Sequence, residues 1–240
     1  MKIQDLRNYG AAFSSAEGAW PPEVKARMRR RSRDVIMRNL KGFQKLRFFF
    51  IFMKWRRQAS RLDISDLRAR GMSDDAFLSQ QLEYLAMFAT LVELFGKERS
   101  VAIMKEVMDE AAYEPLMMCL PDPEHVRQLE YTPLAIFRDY IEAMAEASVM
   151  ANCNEMRVID LEGDEGAFEL NVTWCIWLEL AQRMGIPEGC QPNCYADDLV
   201  FPKYFDALGM RYGRTQTLAC GGSCCDFRFA SKGSDEPPRG

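Results

Sequence analysis

Between Met150 and Glu155 the apolar residues change their spacing from a helical period to strict alternation, and this change limits the folds open to the chain. Everything before it reads as helix. Pro21-Pro22 opens the first, since proline is tolerated in a first helical turn, and the pattern runs from Glu23 to about Arg61 with an interruption near Gly42. Ser73-Asp74-Asp75 caps the next, in which Phe77, Leu78, Leu82, Leu85, Phe88, Leu91 and Val92 are dense enough to predict burial on more than one side, and Gly96 ends it. A third helix runs from Lys97 to about Met118, ahead of Pro121-Asp122-Pro123, and a fourth from Pro133 to about Met150.

After the change, Glu155 to Asp160 alternates, Glu162 to Gly166 supplies turn chemistry, and Ala167 to Trp174 alternates again with Phe168, Leu170, Val172 and Trp174 on one face. Short helices are expected from Ile176 to Met184 and from about Ala196 to Ala207. A second hairpin, Met210 to Ala219 with Cys225 to Ala230, turns at Gly221-Gly222. The expected class is α+β: an N-terminal helical region, then a β-hairpin–helix–helix–β-hairpin unit whose antiparallel sheet is covered on one face. The organisation read from this is a flexible arm at 1–20, a basic aromatic helix at 21–61, a single α+β domain at 62–230 and a disordered tail at 231–240.

The net charge of -4 conceals an asymmetry: from Pro21 to Arg61 there are fourteen Lys/Arg against two acids, Glu23 and Asp34. A basic segment carrying Phe43, Phe48, Phe49, Phe50, Phe52 and Trp55 has the composition of a membrane-surface or nucleic-acid binder. The plainer expectation is a helix whose aromatic face docks on the acidic remainder of the same or a neighbouring subunit with its arginines solvated. This makes a homo-oligomer through that helix the expected partner, with neither nucleic acid nor a membrane surface. No signal-peptide pattern is present and no apolar run approaches the ~20 residues of a membrane span, so a cytoplasmic location is expected.

In a reducing compartment clustered cysteines argue for chemistry or metal binding over disulfides. Six of the eight fall between Cys175 and Cys225, within the cysteine-rich stretch 174–229. Cys175 is expected where the first hairpin enters a helix, Cys194 and Asp197 at the start of the next helix, and Cys225 at the entry of the last strand. A thiol at a helix N-terminus is biased toward thiolate, and Asp197 or Asp198 stands one turn on as base or hard ligand. Cys119, Cys153 and Cys224 are expected to be small buried hydrophobes. The one histidine, His125, lies in a Pro-flanked linker, so paired-His metal sites and Ser-His-Asp hydrolysis are excluded by count. What remains is a cysteine nucleophile without cofactor, or a metal held by Cys175, Cys194, Cys225 and Asp197; the irregular cysteine spacings rank the metal second. The site then serves either an enzyme or a non-enzymatic sensor that binds a small molecule or metal.

From Trp174 to Phe229 the chain resembles the L-2-amino-thiazoline-4-carboxylic acid hydrolase family: a lone Cys175 after a strand, Cys194 three residues before Asp197, and a closing run with Arg214, Thr215, Thr217, Leu218, Gly222, Cys225, Asp226, Phe227 and Phe229. Cys190, Cys220 and Cys224 are additional thiols. The resemblance implies hydrolytic opening of a five-membered C=N–C–S ring carrying a carboxylate, giving a carbamoyl-cysteine in cysteine metabolism. On that reading Cys175, Cys194, Asp197 and Cys225 are catalytic, Cys194 or Cys175 attacks, Asp197 shuttles the proton, and Arg214, Thr215 and Thr217 bind substrate. For Asp226 a hydrogen-bonding role at the strand start is expected, and for Phe227 and Phe229 a place in the core.

Overall fold

The computed structural model describes residues 21–118, 120–146, 152–161 and 166–233. The turn expected at 162–165, the end of the fourth helix beyond 146, Cys119, the arm at 1–20 and the tail from 234 lie outside the described residues. The chain groups into two compact units, Pro21–Pro115 with Ile176–Asp197, and a second containing 116–175 and 198–233.

The first unit is helical. Its N-terminal basic segment forms two helices, α1 (Pro22–Asn39) and α2 (Gln44–Ala59), interrupted at Gly42, where φ is +48°. The arginines of α1 are not simply solvated: Arg27 pairs with Glu114, Arg38 with Glu106 and Glu110, and Arg31 donates to the Glu110 carbonyl. After α3 (Ser65–Ala69) comes α4 (Asp75–Phe95), whose N-terminus is capped by the Asp74 carboxylate accepting from Phe77 N–H at 2.9 Å. Leu78, Leu85, Ala86, Phe88, Ala89 and Leu91 are buried, so α4 is covered on several sides, as its density of apolar residues predicts. Gly96 ends it and α5 (Lys97–Val107) begins at once. The expected third helix continues through a π-helical turn, Met108–Ala112, into α6 (Tyr113–Met117).

In the second unit α7 (Pro123–Arg127) holds His125 on an exposed helical turn where a linker was expected, and α8 (Pro133–Glu146) follows. The strands are β1 (Asn154–Asp160), β2 (Ala167–Cys175), β3 (Met210–Arg214) and β4 (Cys225–Ser231), all antiparallel in the order β1-β2-β4-β3. One face is filled by Phe168, Phe227, Phe229 and Tyr212, met by Phe137 of α8 and by Phe201 and Phe205 of the last long helix. The Phe137–Phe205 rings meet edge-on at 4.4 Å and Phe205–Phe229 at 4.9 Å. The α+β class and the covered antiparallel sheet are those the periodicity implies.

Three local differences matter for the site. A bulge interrupts the β1–β2 ladder: Met156 pairs with Val172 but Glu155 pairs with Trp174, leaving Thr173 extra. Trp174 therefore leaves the Phe168–Leu170–Val172 face, contrary to the simple alternation, and Cys175, paired with Asn154, joins it. Second, the helix expected from Ala196 begins earlier. A 3-10 turn (Pro187–Cys190) follows α9 (Ile176–Arg183) and leads directly into α10 (Gln191–Ala207). Third, β3 stops at Arg214, and the following residues form a loop instead of strand as far as Ala219.

Candidate active site

At one end of the sheet β2 ends, β4 begins and β3 ends, because all neighbouring strands are antiparallel; Cys225 is level with Val172, Arg214 with Phe227 two residues further in, and Cys175 lies three residues beyond Val172. The residues at this end are Cys175, Cys225 and Arg214. Register places them on one face: Cys225 opposes Val172, Arg214 opposes Phe227, and the Thr173 bulge turns Cys175 to the same side. Three of the residues picked from sequence thus share a sheet face, Cys175 and Arg214 on strands separated by β4.

Arg214 is nearly enclosed, its side chain 5 % exposed. It binds Asp198 Oδ2 at 2.6 Å and lies over the Phe227 ring at 5.2 Å, a stacked and charge-paired setting that suits guanidinium better than ammonium. Tyr212 Oη donates to the other oxygen of Asp198 at 3.2 Å. Asp198 stands on α10 four residues before Pro202, which has no N–H to give the Asp198 carbonyl. A carboxylate paired with Arg214 is thus Asp198, named from sequence as the alternative to Asp197. The signal for it was present: Tyr212 and Arg214 alternate on one strand face, and an acidic pair precedes them.

Cys225 is buried, and its sulfur accepts from Leu218 N–H at 3.3 Å. That donor is held by the loop 215–224, whose shape is set by side chains. Asp226 accepts from Thr215 N–H at 3.0 Å, from Gln216 N–H at 2.8 Å and from the Thr215 hydroxyl, which is the strand-start role expected of it. Thr217 caps the 3-10 turn Leu218–Cys220, its hydroxyl oxygen accepting from Cys220 N–H at 3.2 Å. The hydroxyls of Thr215 and Thr217 are thus engaged in building the loop. Gly221 has φ of +86°, and a Cβ on Gly222 would fall 2.8 Å from Gln216 Oε1, so both glycines are required for the turn. Gln216 also reaches Cys224, and the Cys224 thiol reaches Asn171 Oδ1 at 3.7 Å. Cys224 is half-buried among polar partners and not the buried hydrophobe expected; Cys153 is.

Cys194 and Asp197 belong to the other unit, on α10, as its fourth and seventh residues. Neither is at the helix start, because the 3-10 turn and α10 begin before them, and the dipole argument for Cys194 weakens accordingly. At spacing i, i+3 the two share a face. Burial, and after it the charge that thiolates at Cys190 and Cys194 would carry, pushes the Tyr84 phenol well above its ordinary range; Tyr84 donates to the Gly189 carbonyl at 3.0 Å. This thiol pair therefore sits beside a neutral phenol. Neither unit by itself contains Cys175, Cys194, Cys225 and Asp197 together.

The seven described cysteines are thiols, not disulfides. Among the described residues no three His, Cys, Asp or Glu lie close enough to hold a metal ion, and no helix is long and apolar enough to cross a membrane. A family model described as L-2-amino-thiazoline-4-carboxylic acid hydrolase matches residues 77–229. The chain belongs to that family. The match extends the resemblance of the last third back into α4, and all seven site residues named from sequence fall inside it, whereas α1 and α2 lie outside. No curated protein and no solved structure matches the chain. As a member of the thiazoline carboxylate hydrolase family the chain is of hydrolase type.

Proposed function

We propose that this protein hydrolyses 2-amino-thiazoline-4-carboxylate, or a close cyclic amidine bearing a carboxylate, by covalent catalysis at Cys175. The observation that carries the reading is the shared end and face of Cys175 and Arg214 in a chain of this hydrolase family. Cys175 is half-exposed and directly precedes Ile176, the first residue of α9, where unpaired backbone N–H groups favour a thiolate. Arg214 offers a substrate carboxylate the bidentate partner that Asp198 occupies, so binding exchanges one carboxylate for another. Displaced Asp198 then carries protons, with Asp197 one residue earlier on α10 as the alternative shuttle. Cys225 supports the loop that shapes this end of the sheet, and Thr215 and Thr217 act on substrate through that loop.

In the reaction the thiolate adds to the amidine carbon and the ring nitrogen takes a proton. The bond from that carbon to the ring sulfur breaks, and the sulfur leaves as a thiol after accepting a proton. Water then adds to the same carbon, the enzyme sulfur departs, and carbamoyl-cysteine is released. One water is consumed and nothing is oxidised or reduced.

The test is twofold. Incubation with 2-amino-thiazoline-4-carboxylate should release a titratable thiol together with a product heavier than substrate by one water, read by mass spectrometry. Alkylation at neutral pH, mapped by peptide, should label Cys175 first and be slowed by substrate. First labelling of Cys194 moves the nucleophile to α10 beside Asp197. Slow uniform labelling with no thiol release overturns the reading.

A further inference from the structure

The two faces of α2 do different things. Phe48, Ile51, Phe52, Trp55 and Ala59 are buried or half-buried on the side that packs along α4, where Phe48 and Phe52 stack at 6.0 Å and Trp55 Nε1 donates to Glu93 at 3.0 Å. On the other side Phe43, Leu46, Phe49, Phe50 and Met53 are 45 % to 71 % exposed. At ~100° per residue these five fall within a ~120° arc, a continuous apolar stripe about as long as the ~24 Å helix. Lys45 and Arg56 lie on one flank of the stripe and Arg47 and Lys54 on the other; all four are exposed, Lys54 is paired to Glu93 of α4 at 2.6 Å, and from residue 41 to residue 61 the chain itself has no acid. The docking expected of this helix thus uses one aromatic face and leaves a second uncovered.

We propose that this outer face of α2 is a binding surface for an anionic lipid bilayer, on which the helix lies flat with its phenylalanines among the acyl chains and its cations at the headgroups. Charge complementarity selects the occupant. A two-fold contact of α2 with its copy would bring Lys45, Arg47 and Arg56 of both copies together, with only Glu93, already paired to Lys54, as a neighbouring acid. A nucleic acid would find Leu46 and Met53, which offer no ring to stack on, at the centre of the stripe and the cations only at its edges. An anionic bilayer matches both parts of the pattern at once: apolar depth under the stripe and negative charge along its rims. The helix lies on such a surface without crossing it.

Sedimentation of the full chain with vesicles tests this. Vesicles of three parts phosphatidylcholine to one part phosphatidylserine should bind the protein at least tenfold more tightly than phosphatidylcholine alone at low salt, with the difference removed at ~0.5 M salt. Phe49→Ser with Phe50→Ser should lower binding at least tenfold with an unchanged melting temperature, since both side chains are exposed. Arg56→Gln with Lys45→Gln should lower binding to the anionic vesicles only. Absence of binding to anionic vesicles at low salt overturns the proposal. So does tighter binding to a single-stranded oligonucleotide than to vesicles, or a concentration-dependent dimer that the Phe49/Phe50 variant disperses.

Discussion

The two units hold their cysteines in contrasting surroundings. At the end of the sheet Cys225 takes a backbone N–H from a braced loop, and Cys175 shares its face with an enclosed arginine that is paired to Asp198. In the helical unit Cys190 is buried, and it and Cys194 neighbour the Tyr84 phenol. A strand end fixes which residues stand opposite a thiol, because ladder pairing sets them. A helix sets the neighbours of its interior thiols by packing and by spacing along one face. The difference teaches that thiol density in sequence does not tell what each thiol faces; the packed neighbours do.

Replacement of the two sets breaks or sharpens this contrast most directly. Cys175→Ser should lower kcat on the order of 10³-fold, as loss of a covalent nucleophile does, while Cys190→Ser and Cys194→Ser should each stay within about tenfold of the parent. Steady-state kinetics on the thiazoline substrate reads both, and equal losses in the two units would erase the distinction. Next in size, Arg214→Gln removes a charge-assisted contact worth ~1.5–3 kcal/mol, a rise in KM of about ten- to a hundredfold with kcat less affected. Arg183→Gln, on α9 of the helical unit, should leave KM alone.

Asp226→Ala removes the three bonds its carboxylate accepts from the loop after β3, and should cost ~1–3 kcal/mol in urea unfolding while lowering activity through the displaced Leu218 N–H. The smallest effect belongs to the helical unit. The Arg183 guanidinium, bonded to both oxygens of Asp66, holds that carboxyl down at about 2. Because the folded value is depressed, the stabilisation is complete above the ordinary carboxylate range and is lost as pH falls through about 2. Asp66→Asn should therefore flatten the acid limb of a melting-temperature profile below about pH 4 and leave turnover at neutral pH unchanged.

Much of the molecule is decided by short-range signals and is legible without coordinates. Asp74 caps α4 and Gly96 ends it, alternation marks both hairpins, Asp226 braces its own strand entry, and the closing motif carries the family. These depend on residues a few positions apart, where propensity and hydrogen-bond reach operate. Tertiary structure decided what depends on pairing between distant segments. One extra residue, Thr173, turns Trp174 away and brings Cys175 to the face of Arg214, a reversal that arises only against the register of β1. The pairing of Arg214 with Asp198, and the division of the α2 aromatics between a packed face and an exposed one, likewise required knowing which element lies alongside. Periodicity tells which residues share a face, but only the packed neighbours determine what that face meets.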